Sequence, residues 1–104
     1  MEVNKEAITD LAAEFERHEG LSHKFEGISN PPSQRPDLCA LILIDMLMPS
    51  ATRNWMLGAA EHDQVWIGVD CDELAKVISS EQVEYLVRCG IFYDKDYCCL
   101  SMFV

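Results

Sequence analysis

Apolar and polar positions between Gln64 and Val104 change rhythm four times, and each change marks an element. Val65, Trp66, Ile67 and Val69 make a short β-branched and aromatic run that stops at Asp70, and Asp70 with Glu73 has the spacing of a capping box. A strand therefore hands over to a helix. Ser79 and Gln82 repeat the device, after which Val83, Leu86 and Val87 recur at helical spacing as far as Gly90, a residue suited to a left-handed helix end. Ile91, Phe92 and Tyr93 then meet the turn-rich Asp94, Lys95 and Asp96, and Tyr97 to Val104 continues extended and apolar. The spacing predicts a closing hairpin in which Asp94 and Asp96 bracket a turn of two or three residues, with Met102, Phe103 and Val104 packed.

The upstream half reads as cover for this unit. Asn4 can cap a helix over 4–19 whose Ala7, Ile8, Leu11, Ala12 and Phe15 form one apolar stripe. Residues 20–36 hold three prolines, two glycines and Asn30, and predict a long loop pinned to the body by Phe25 and Ile28. Between Pro36 and Pro49 the only charges are Asp37, at the start, and Asp45. Length and the Leu, Met and Ala content favour a helix over 38–48, with Leu-Ile-Leu-Ile at 41–44 keeping a strand as the alternative. A helix apolar all round belongs at the centre of the domain or in a subunit interface. Ser50 to His62 reads as a further helix that buries Trp55, Met56, Ala59 and Ala60. The expectation is a single α+β domain over 1–104, with the body at 37–104. Its order is helix, helix, helix, strand, helix, helix, strand, strand, and three helices pack on a small antiparallel sheet.

Composition narrows the function classes. Eighteen acids stand against eight bases, a formal net charge of −10 spread over both halves, which repels nucleic-acid phosphates and anionic lipid and favours basic partners. Direct nucleic-acid binding and membrane association are not expected. The polar start Met1-Glu2-Val3-Asn4-Lys5 has no leader pattern, so the protein is expected in the cytoplasm. Five cysteines at irregular spacing argue for reduced thiols over a disulfide framework.

Few residues offer chemistry. There is no Cys-x-x-Cys pair, and His18 and His23 stand five apart across a glycine, so neither a metal nor a cofactor is expected. Cys98 and Cys99, side by side, would point to opposite faces of one strand and could not chelate together. Cys71 falls in a helix first turn, which favours a thiolate, but Asp70, Asp72 and Glu73 beside it oppose one. The carboxylates read as caps and turn residues, and with no phosphate loop or nucleophile elbow the chain is not expected to be an enzyme. One asymmetry remains. From Asn54 to Ala75 there is no Lys or Arg, while Glu61, Asp63, Asp70, Asp72 and Glu73 line up along the two ends of the strand at 65–69. If the two ends share one rim, these five residues form an acidic contact surface.

Two resemblances are carried by the second half. The element order over about 50–104, with Asp-Glu-Leu-Ala at 72–75 and Leu-Val-Arg-Cys-Gly-Ile at 86–91, resembles a winged-helix domain. That resemblance implies a DNA-binding regulator, yet the helix in the recognition position carries Glu81 and Glu84 against Arg88, and the wing is Asp94-Lys95-Asp96. Ala-Ala-Glu-His-Asp at 59–63, Gly-Val-Asp at 68–70 and the ending Leu-Val-Arg-Cys-Gly at 86–90, Tyr-Asp at 93–94 and Met-Phe-Val at 102–104 are similar to small acidic proteins encoded by bacteriophages and prophages. This second resemblance implies an accessory protein or inhibitor that binds a host protein. The expected function is a non-catalytic protein-binding module whose partner is basic or itself binds nucleic acid. A winged-helix regulator, a DNA-mimicking protein and a small enzyme are the alternatives. The apolar stretch at 38–48 also predicts a homodimer.

Overall fold

The computed structural model describes residues 10–49 and 56–103. The elements are α1 (Leu11–Arg17), α2 (Pro36–Leu47), β1 (Leu57–Glu61), β2 (Gln64–Ile67), α3 (Cys71–Val77), α4 (Ser80–Arg88), β3 (Phe92–Asp94) and β4 (Cys99–Phe103). The class is α+β, as the periodicities predict. The four strands form one antiparallel sheet in the order β1-β2-β4-β3. β4 is thus an inner strand, bonded to β2 from Gln64↔Phe103 to Ile67↔Leu100 and to β3 from Phe92↔Ser101 to Asp94↔Cys99. Alternate residues of these strands, Val65, Ile67, Leu100 and Met102, are buried in one core with Leu74, Ile78, Val83, Leu86 and Ile91. Leu11 and Phe15 of α1 and Cys39, Ala40 and Ile44 of α2 complete that core.

The helix starts follow the sequence closely. Asp70 Oδ1 accepts from the backbone N–H of Asp72 (2.9 Å) and of Glu73 (3.3 Å). Ser79 and Gln82 form the reciprocal capping box, each side chain bonded to the other's backbone N–H. Gly90 ends α4 with φ +98°, and a Cβ there would sit 3.1 Å from the His23 ring. Both the backbone angle and the close approach call for glycine.

Several expectations are corrected. The chain at 57–61 is strand β1 and not the end of the helix expected over 50–62, whose first six residues lie outside the described residues; among the described residues the order is helix, helix, strand, strand, helix, helix, strand, strand. Two residues, His62 and Asp63, join β1 to β2, and His62 adopts the left-handed conformation that such a turn needs (φ +57°). Gly58 sits at a bulge, where a Cβ would come within 3.3 Å of Gly68 Cα. All of β1 is solvent-exposed, Ala59 and Ala60 included. Helix α1 begins at Leu11, capped by Asp10 Oδ1 on Ala13 N–H (3.1 Å), and ends at Arg17. Asn4, Ala7 and Ile8, like Trp55, lie outside the described residues. Between α1 and α2 the chain makes two single 3₁₀ turns, Glu19–Leu21 and Phe25–Gly27, and Phe25 and Ile28 pack against the core as expected.

The 38–48 stretch is helical as far as Leu47, with Met48 as its C-cap, but α2 does not lie wholly inside: Leu38 is 43% and Met46 70% exposed. The last hairpin has a four-residue turn, 95–98, and Cys98 sits in it with φ +54°, so Cys98 and Cys99 do not share a strand. Met102 is packed, whereas Phe103 is 59% exposed, and Val104 lies outside the described residues. No described helix is long and apolar enough to cross a membrane.

Candidate partner-binding site

The sheet face away from the core is unlike an ordinary solvated face. Strand register puts Glu61, Gln64, Trp66, Phe92, Asp94, Ser101 and Phe103 on it. Asp94 is the hub. Its Oδ2 accepts from Trp66 Nε1 (2.9 Å) and Gln64 Nε2 (3.2 Å), and its Oδ1 accepts from Asp96 N–H (3.0 Å) in the turn. Gln64 Nε2 also donates to Ser101 Oγ (2.8 Å), and Ser101, fully buried, donates to the Val65 carbonyl (2.8 Å). Asp94 therefore reaches across β4 to hold two side chains of β2, which makes it more than the turn residue that its neighbours suggest.

Above this network lie four aromatic rings. Trp66 meets Tyr97 edge-on with centroids 5.5 Å apart, and Phe92 stacks on Phe103 at 5.1 Å. Tyr97 is 67% and Phe103 59% exposed, while Trp66 and Phe92 are half-buried. Nothing in the run Val65-Trp66-Ile67 by itself tells which sheet face takes Trp66. Only the pairing of β2 with β4, some 36 residues away in the chain, puts it on the open face.

The five acidic residues singled out from the sequence are all exposed, but they fall into two groups. Glu61 and Asp63 lie at the β1–β2 turn. Asp70, Asp72 and Glu73 open α3, past the other end of β2. At ~3.3 Å per residue of strand the groups stand on the order of 15–20 Å apart. Glu61 shares the aromatic face by register, whereas Asp70 is occupied as a cap and Glu73 pairs with Lys76 at 3.1 Å.

A cleft of about 390 Å³ opens between α1 and β3. Phe15, Val87, Ile91, Phe92 and Phe103 give it an apolar lining, and Glu16, Glu19, His23 and Lys95 supply charge and polarity around them. Glu16 and Lys95 lie 3.8 Å apart. The stacked Phe92 and Phe103 belong both to the cleft and to the open sheet face.

Elsewhere, residues of reactive types join one element to another. Ser80, His18 and Glu14 form a half-buried cluster that ties α1 to the start of α4. His18 Nε2 lies 3.1 Å from Ser80 Oγ and 3.5 Å from Glu14 Oε2, and Ser80 Oγ donates to that same carboxylate oxygen. A nucleophilic triad needs the acid on the other imidazole nitrogen. Here serine and acid meet the same one, so the arrangement is an interlock. Arg88 is held by Glu84 (3.1 Å) and the Lys24 carbonyl (3.1 Å), which pins α4 beneath the 20–36 loop.

All five cysteines are free. Burial, with the neighbouring Cys99, Asp70 and Asp72 adding to it, pushes the Cys71 thiol up to about 11, so the helix first turn does not generate a thiolate. Burial pushes Cys89 up to about 12. Raised folded-state values mean that the native state holds its protons longer than the unfolded chain. Their contribution is complete below the ordinary thiol value of 9.0 and is lost as pH rises through about 11 to 12. Urea unfolding under reducing conditions should show the midpoint falling from pH 9 upward, and a flat profile to pH 11 would contradict these burials. Thiol titration with a disulfide reagent at pH 8 should modify exposed Cys98 first, and Cys39 and Cys89 only on unfolding.

Among the described residues no three His, Cys, Asp or Glu side chains are grouped so as to hold a metal ion. Comparison of the chain with protein-family models, with curated proteins and with solved structures finds no match.

Proposed function

We propose that this chain is a non-catalytic protein-binding module that receives a basic partner on the open face of its sheet. The observation that carries the reading is the pairing of exposed and half-buried aromatic rings with carboxylates on that face. Its strand residues carry two carboxylates, Glu61 and Asp94, and no Lys or Arg, beside Trp66, Phe92 and Phe103. Aromatic faces and carboxylates together attract arginine and lysine side chains. The net charge of −10 steers such a partner in, and a DNA-mimicking role would use the same complementarity. The likeness of residues 59–104 to phage-encoded acidic proteins supports an accessory or inhibitory role.

Capture from a bacterial lysate tests this with three baits. They are the unaltered chain, a variant with Glu61→Gln and Tyr97→Ala, and a variant with Asp70→Asn, Asp72→Asn and Glu73→Gln. A basic protein retained by the first bait should drop about tenfold or more with the second, since buried aromatic anchors dominate interfaces. A comparable loss with the third would extend the contact to the start of α3. Equal capture by all three would refute the reading.

A second reading has one specific observation in its favour. β2, α3, α4, β3 and β4 follow one another with β4 inside the sheet, the order expected of a winged-helix regulator. The side chains oppose it, because Ser80 and Arg88 of α4 are taken up by α1 and the 20–36 loop. Gel shifts at low salt with random DNA separate the two, since even non-specific binding appears there. Self-association through the outward Leu38 and Met46 of α2 is a further expectation. A monomer at high micromolar concentration in the ultracentrifuge would exclude it.

A further inference from the structure

We infer that the cleft between α1 and β3 seats an apolar side chain that a basic polypeptide presents between its cationic residues. The inference rests on the protein-binding reading and specifies part of the partner.

The cleft, at about 390 Å³, falls within the range of ~300–1,000 Å³ typical of ligand sites. Phe15, Phe92 and Phe103 line it together with Val87 and Ile91, a surface that suits a flat or branched apolar group. Around that lining stand Glu16 and Glu19 against Lys95, and Lys95 is already 3.8 Å from Glu16. Among the described residues Glu19 makes no ion pair. The balance of the rim is acidic, so the apolar group that enters is best carried between positive charges. The stacked Phe92 and Phe103 make the cleft continuous with the open sheet face. A side chain seated against them leaves its backbone free to run over Trp66 and Tyr97, which favours a polypeptide over an isolated small molecule. The wall is also firm. His23 (φ +63°) packs on Gly90, and its backbone N–H bonds to the Val87 carbonyl (3.4 Å), tying the loop to the end of α4. Such a site loses little freedom when it is filled.

Amide chemical-shift titration of the full chain provides the test, with three capped pentapeptides as probes: Lys-Lys-Trp-Lys-Lys, Lys-Lys-Ala-Lys-Lys and Glu-Glu-Trp-Glu-Glu. The first should shift the amides of Phe15, Glu19, Ile91 and Phe103. Exchange of its centre for alanine should weaken binding about tenfold, and the acidic peptide should leave the spectrum unchanged. Glu16→Gln with Glu19→Gln, two surface changes, should weaken the first peptide severalfold with the spectrum otherwise intact. Equal affinity for the tryptophan and alanine peptides would overturn the inference, and so would no binding of any. Shifts confined to residues outside the cleft would overturn it too while leaving a basic partner on the sheet face standing. Binding that emerges only after removal of residues 1–9 would also overturn it, since it would assign the cleft to the chain's own N-terminal segment.

Discussion

Leu100→Ala is expected to destabilise the protein by about 2–5 kcal/mol, because the residue is fully buried on an inner strand. Its neighbours on both sides belong to other strands, Ile67 on β2 and Tyr93 on β3, so the cavity cannot close by movement of one loose element. For a domain of this size that loss consumes much of a typical folding free energy, ~5–15 kcal/mol. Urea denaturation followed by tryptophan fluorescence checks it. A cost below about 1 kcal/mol would mean that the β2-β4-β3 core is not packed as described.

Asp94→Ala should cost about 1–3 kcal/mol, a large value for a turn residue. The Trp66 Nε1–H and one Gln64 amide hydrogen lose their acceptor, and unpaired donors that are partly shielded from water carry most of the penalty. Asp94→Asn keeps one carbonyl oxygen for these donors and should be milder. The same pair of variants, read by near-ultraviolet circular dichroism, should show the Trp66 signal altered by alanine more than by asparagine. If Asp94→Ala is as stable as the parent, the residue is only a turn former.

Local signals in the sequence located most of the elements. The caps at Asp70 and Ser79 and the stop at Gly90 depend on neighbours within a few residues, and the structure has them where the spacing predicts; the closing hairpin is also present, with its turn lengthened to residues 95–98. β1 was not legible for the converse reason. Leu-Gly-Ala-Ala-Glu has no strand preference of its own, and its conformation comes from pairing with β2 through a turn that His62 enters with positive φ. The candidate site was legible only in part. Glu61 was flagged by charge, but nothing near Asp94 in the sequence reveals that its acceptors face Trp66 and Gln64, because β4 intervenes between β3 and β2. Register across the sheet, not motif, assembles that face.

The place of β4 within the sheet also has a consequence for biosynthesis. β2 and β3 do not touch as neighbours, and the strand that joins them is made after both. A nascent chain that has released residues up to about 98 can form its helices, but it holds two strands with the gap between them unfilled. The sheet closes only when Cys99–Phe103 leave the ribosome, so until then β2 and β3 present bare hydrogen-bonding edges and the apolar side of the core to whatever chaperone is nearby.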